Sequence, residues 1–124
     1  IVVRSIEEAL KVYQTGLGLQ VREVLEVPDQ KVEVAFLPLG ESTLELVRPT
    51  SEDTGIAKFL DKRGEGIHHI CIQVNDIRKV LAQLKDQEIE LIDEEPRRGA
   101  HGQVAFVHPK GAHGVLIELV QYDQ

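Results

Sequence analysis

A chain of 124 residues, 42% hydrophobic and 28% charged, has the length and composition of one folded domain, which excludes a disordered segment. Lys+Arg 14 against Asp+Glu 21 gives a net charge of −7, which excludes the basic footprint of a nucleic-acid or anionic-membrane binder. The single Cys71 excludes an intrachain disulfide framework and a cysteine-based zinc site. It suits a reducing compartment, the cytoplasm or, in a eukaryote, the mitochondrial matrix. No apolar run approaches the roughly 18 residues of a membrane span, and no basic segment followed by an apolar one marks a signal peptide.

The chain opens on Ile1, Val2 and Val3, an apolar run that reads as the middle of a strand. Ser5 predicts a helix N-cap, and Glu8 three residues on makes a capping box with it. Behind it Ile6, Ala9, Leu10, Tyr13 and Leu17 recur at helical spacing. Strands are expected over residues 19–27, 31–38 and 42–48, with Pro28-Asp29 and Leu39-Gly40 as turn signals. The link from Pro49 to Gly66 predicts a short helix with Ile56, Ala57, Phe59 and Leu60 on one side and Gly64 as its stop. A strand over 67–74 leads to the N-cap Asp76 and a second helix with Ile77, Val80, Leu81 and Leu84 on one face. Strands over 88–93, 102–108 and 114–121 follow, the last two divided by the turn His108-Pro109-Lys110-Gly111.

The same motif is written twice. Ile1–Leu10 aligns with Ile72–Leu81, Glu33–Leu37 with Gln103–Val107, and Leu44–Val47 with Ile117–Val120, in the same order. Each copy reads β-α-β-β-β. The expected architecture is an α+β domain with module one at about 1–48, a connecting helix at about 49–66 and module two at about 67–124. Two such modules supply eight strands for one curved mixed sheet, an open barrel or cup with helices on its outer face.

Strand alternation then isolates polar groups on apolar faces. In the strand over 67–74, Ile70, Ile72 and Val74 form the face a helix would cover, and His69, Cys71 and Gln73 point the other way. Glu45 shares a face with Thr43 and Val47, Glu118 with Leu116 and Val120, and Glu33 with Ala35 and Leu37. A carboxylate among such neighbours needs a partner or a metal. One imidazole nitrogen and two carboxylate oxygens, from His69, Glu45 and Glu118, suit a borderline divalent ion such as Co, Ni, Mn, Fe or Zn. The plainer reading of each is a Glu on the solvent face and a hydrogen-bonded core His. What favours the metal is that Glu45 and Glu118 occupy the same place in the two repeats. The repeat also places the counterpart of His69 three residues before Ile1, so a fourth ligand, a His, is expected there.

These motifs resemble the vicinal oxygen chelate superfamily, whose members pair two βαβββ modules around a divalent metal. Within it the chain is similar to methylmalonyl-CoA epimerases over nearly its whole length. The runs that carry the likeness are Ile56–Leu60, Gly64–Ile70, Leu91–Pro96, Val104–Lys110 and Gly114–Val120. The resemblance implies epimerisation of methylmalonyl-CoA at C2 through an enolate, with His69, Glu45 and Glu118 holding the metal. It implies Glu33 as a catalytic base, with Glu118 as its partner on the opposite face of the enolate. A homodimer is implied as well. Arg97, Arg98 and Lys110 are cationic candidates for the CoA moiety, and His101 and His113 depart from the family's pattern. The rival readings are a glyoxalase I-like lyase, an extradiol-type dioxygenase, a metal-free binding protein of the drug-resistance type, or a domain that keeps only the fold.

Overall fold

The computed structural model describes residues 1–124 as two compact units, Ile1–His68 and His69–Gln124. In the first, helix α1 (Ile6–Leu10) starts where Ser5 Oγ accepts the Glu8 N–H at 3.1 Å. The reciprocal half of the capping box is not made, because the Glu8 carboxylate pairs with Lys11 at 2.9 Å instead. The helix runs on through a π-helical turn, Lys11–Gly16. Strands β1 (Glu23–Val27), β2 (Val32–Leu39) and β3 (Ser42–Pro49) form an antiparallel sheet in the order β1-β2-β3. The turn between β1 and β2 ends on Lys31 at φ 56°, and Gly40 at φ 59° sits between β2 and β3. Ala35, Leu37 and Leu46 on the sheet close against Val3 and Ile6, all of them buried, with Leu44, Leu10 and Tyr13 packed around them. Helix α2 (Gly55–Arg63) starts on the Thr54 cap and stops at Gly64, φ 77°.

In the second unit β4 (Ile70–Gln73), β5 (Arg97–Arg98), β6 (Gly102–Val107) and β7 (Ile117–Tyr122) form a sheet in the order β4-β7-β6-β5. Only β4 and β7 are parallel. Helix α3 (Ile77–Asp86) is capped by Asp76, which accepts the Lys79 N–H at 3.1 Å. Its Ile77 and Leu81 pack on Ala105, Val107 and Leu119. The helix therefore lies over β6 and β7. Ile70 and Ile72, on that same face of the edge strand β4, remain 45% exposed instead of being covered as the sequence suggested.

The internal repeat is visible in single hydrogen bonds. Val3 N–H donates to Val47 O at 2.9 Å, and Val74 N–H donates to Val120 O at 2.8 Å, each bond joining the repeat's first segment to its last strand. The expected α+β class holds, with differences in its strands. There are seven strands in two open sheets, of three and four strands, not eight in one sheet. Ile1–Val3 contributes isolated bridges at Val2, and the expected strand over 88–93 is reduced to a bridge between Leu91 and Val107. Ile89 N–H is turned back to Leu84 O at 3.0 Å, and Pro96 offers no donor, so the continuous ladder with β6 starts only at Arg97. Likewise β7 begins at Ile117, because His113 at φ 56° and Gly114 at φ 92° hold a turn. No helix is long and apolar enough to cross a membrane.

Candidate active site

In the second unit Ile117 and Leu119 belong to the face packed by α3, so Glu118 and Val120 point to the other face. Strand register sets Glu118 directly across from Phe106 on β6 and beside Cys71 on β4. His69, one residue before β4, comes to the same face. Its Nε2 lies 3.2 Å from Glu118 Oε1, and the two side chains are only 32% and 23% exposed. The Phe106 ring meets the His69 ring edge-on, with centroids 6.1 Å apart. On the far side the Arg97 guanidinium lies 5.6 Å from the Phe106 ring centre. His69, Glu118, Phe106 and Arg97 thus form one row across the open face of this sheet.

The first unit repeats part of that row. Phe36 lies directly across from Glu45, as Phe106 does from Glu118. The Arg22 guanidinium stacks 5.3 Å from the Phe36 ring, as Arg97 does on Phe106. Glu45 itself is exposed rather than dry, contrary to expectation. Glu33 is set differently from Glu45. The register sets it across from Arg48, while Phe36 is across from Glu45. Glu33 therefore lies on the helix-packed face with Ala35 and Leu37, and Glu45 on the opposite face. Its carboxylate is taken by Arg48, with Nε 3.1 Å from Oε1. Alternation along one strand cannot reveal this, because the relation between two strands depends on their register.

The His69–Glu118 pair suits a metal by its own geometry. Two donors bound at about 2.0–2.2 Å and cis to each other stand roughly 3.0–3.4 Å apart, and this pair stands at 3.2 Å. The structure contains no group of three or more His, Cys, Asp or Glu side chains in metal-holding geometry, so this pair is two donors only. Asp93 supports the row from outside. One of its oxygens accepts the Phe106 N–H at 2.8 Å, and the other lies 3.3 Å from Arg97 Nε. Arg98 points away to Asp123, whose carboxyl its hydrogen bonds hold below the usual carboxylate range. Arg22 and Asp93 escaped the sequence reading, as did the seat of Arg97 over Phe106. The signal was present in the aligned Val34-Ala35-Phe36 and Val104-Ala105-Phe106 runs, which repeat an aromatic beside each Glu.

Residues 1–107 match the family of the glyoxalase/bleomycin resistance protein/dioxygenase superfamily. The human mitochondrial methylmalonyl-CoA epimerase is 43% identical over 98% of this chain and 70% of its own. An ethylmalonyl-CoA/methylmalonyl-CoA epimerase of Cereibacter sphaeroides is 40% identical over 98% of this chain and 92% of its own. Among solved structures, a variant of the Streptomyces coelicolor methylmalonyl-CoA epimerase in complex with 2-nitronate-propionyl-CoA superposes with a TM-score of 0.82. It is 33% identical, and the match covers 98% of this chain and 90% of the other. The chain belongs to that superfamily and, within it, to the methylmalonyl-CoA epimerase family.

Proposed function

We propose that this protein interconverts the C2 epimers of methylmalonyl-CoA by removing the C2 proton and returning it to the opposite face. The observation that carries the reading is the part-buried His69–Glu118 pair on the open face of the second unit. C2 of this substrate lies between a thioester and a carboxylate, so loss of its proton leaves an anion delocalised into the thioester as a planar enolate. A nitronate at the same carbon, the ligand named with the Streptomyces relative, has that planar anionic shape.

Metal dependence is general among these epimerases. The ion would be held by His69 and Glu118, with Glu45 proposed as a further carboxylate ligand because it is the repeat counterpart of Glu118. A divalent ion of the Co, Ni, Mn or Zn type would supply Lewis-acid stabilisation of the enolate oxygen. The chain's own groups do the rest. Glu118 carries the carboxylate oxygens nearest the imidazole and moves the proton at C2 on one face of the enolate. The 3.2 Å spacing sets the His69 and Glu118 donor atoms side by side. Phe106, directly across from Glu118, covers that side of the site with an apolar ring and limits water. Return of the proton to the opposite face of the enolate needs a second acid/base, and Glu33, the base the family resemblance implies, is proposed for it; in this structure Arg48 holds its carboxylate.

Association into a homodimer and a cytoplasmic setting are proposed from the family resemblance, and light scattering tests the first. Parallel assays on methylmalonyl-CoA and on the glutathione–methylglyoxal hemithioacetal test the reaction class. Turnover of the thioester alone is expected. Turnover of the hemithioacetal alone would make the protein a lyase.

A further inference from the structure

The row across the second sheet contains one group that proton transfer does not use. Arg97 and Arg98 are the only Lys or Arg residues in the four strands of this unit. The backbone sends them to opposite faces. Arg98 pairs with Asp123, and Arg97 stacks on Phe106, the ring that also touches His69. Arg97 is thus the one permanent cation that the strands direct to the face of the His69–Glu118 pair.

Its setting is that of a pre-organised anion receptor. Asp93, only 18% exposed, approaches Nε and also accepts the Phe106 N–H, so one carboxylate ties the guanidinium to the strand beneath it. The ring face supports the guanidinium plane. Neither Nη group hydrogen-bonds within the chain, which leaves the paired N–H edge that matches a carboxylate. The first repeat holds Arg22 over Phe36 across from Glu45 in the same way, so the arrangement is not an isolated surface accident.

We infer that Arg97 is the specificity-determining residue that recognises the free carboxylate of the acyl group and so selects branched malonyl thioesters over plain acyl thioesters. The inference rests on the proposed epimerase reading. Glu118 acts on the proton at C2, the free carboxylate is attached to that carbon, and Arg97 stands over Phe106 on the same sheet face as Glu118. Asp93 offsets part of the Arg97 charge. The discrimination Arg97 supplies is therefore expected at the lower end for a charged hydrogen bond, roughly tenfold in affinity.

The test is equilibrium binding of two thioesters to cobalt-loaded protein by calorimetry. One is methylmalonyl-CoA, and the other is isobutyryl-CoA, in which a methyl group replaces the carboxylate. Arg97→Gln should weaken methylmalonyl-CoA about tenfold and leave isobutyryl-CoA unchanged. Arg98→Gln and Arg22→Gln should leave the ratio between the two ligands as in wild type. Retained discrimination in Arg97→Gln would overturn the inference. Equal weakening of both ligands would also overturn it, since the contact would then be to the CoA moiety. Transfer of the loss to Arg22→Gln would do the same. C2 proton exchange by the wild-type protein separates the two levels. A wild type that exchanges while Arg97→Gln still discriminates removes only the role of Arg97. A wild type that neither binds nor exchanges removes the epimerase reading and this inference with it.

Discussion

Glu118→Gln separates chemistry from folding. The substitution keeps the size and planarity of the side chain, its place across from Phe106 and a partner for His69. It removes the negative charge and the basic oxygen. The stability cost is small, because the His69–Glu118 contact at 3.2 Å is partly open to solvent and such pairs contribute about 1 kcal/mol at most. The kinetic cost is far larger. A positioned general base contributes about 100- to 10,000-fold, equal to about 3–5 kcal/mol of barrier. The variant should therefore melt close to wild type while its C2 exchange falls by at least about a hundredfold. Its metal content should fall as well, since an amide oxygen replaces a carboxylate ligand. Single-epimer exchange by proton NMR, thermal melting by circular dichroism and elemental analysis read these three quantities separately. Exchange at the wild-type rate in a folded Glu118→Gln protein would refute the assignment of the base.

Glu33→Gln should leave metal content at the wild-type level and lower exchange with one C2 epimer by about a hundredfold or more; full exchange with both epimers would make Glu33 a bystander. Leu46→Ala removes a wholly buried side chain from the first core and should cost about 2–5 kcal/mol in urea unfolding, a cost that no surface Leu would show. Gly102→Ala should lower the melting temperature strongly, since a Cβ there would fall 2.1 Å from the Gln121 carbonyl oxygen; an unchanged melt would mean that β6 and β7 are not paired as described. Hydrogen bonds from Ser51 and Lys31 hold the Asp53 carboxyl below the usual carboxylate range, and Arg98 does the same to Asp123. A depressed folded-state value stabilises above the ordinary carboxylate range, and that stability is lost as pH falls below about 4. The double variant Asp53→Asn/Asp123→Asn should therefore show a shallower loss of stability on acidification, and an unchanged slope would contradict it.

Much of this architecture is written in local chemistry. Ser5, Asp76 and Gly64 each mark a helix end through a backbone hydrogen bond or a left-handed φ, so their positions are read directly from residue type. The pairing of Glu118 with His69 was legible for a similar reason, since alternation fixes the face of each and the repeat supplies the motive. What stayed hidden depends on relations between segments. Glu33 and Glu45 each lie among apolar neighbours, and only the register of β2 against β3 reveals that they face opposite ways. The strand over 88–93 has the pattern of a strand, yet the helix end at Leu84 captures Ile89, and after the single Leu91–Val107 bridge Pro96 delays the continuous ladder until Arg97. The seat of Arg97 over Phe106 follows from that delay.

The account stands most directly on one measurement, proton NMR of methylmalonyl-CoA in deuterium oxide with the cobalt-loaded protein. The chemistry assigned to Glu118 predicts that the C2 proton signal disappears while the methyl doublet collapses to a singlet, at a rate proportional to protein concentration. A C2 proton that persists at the rate of the protein-free control, with folded and fully metallated protein in the tube, would contradict it.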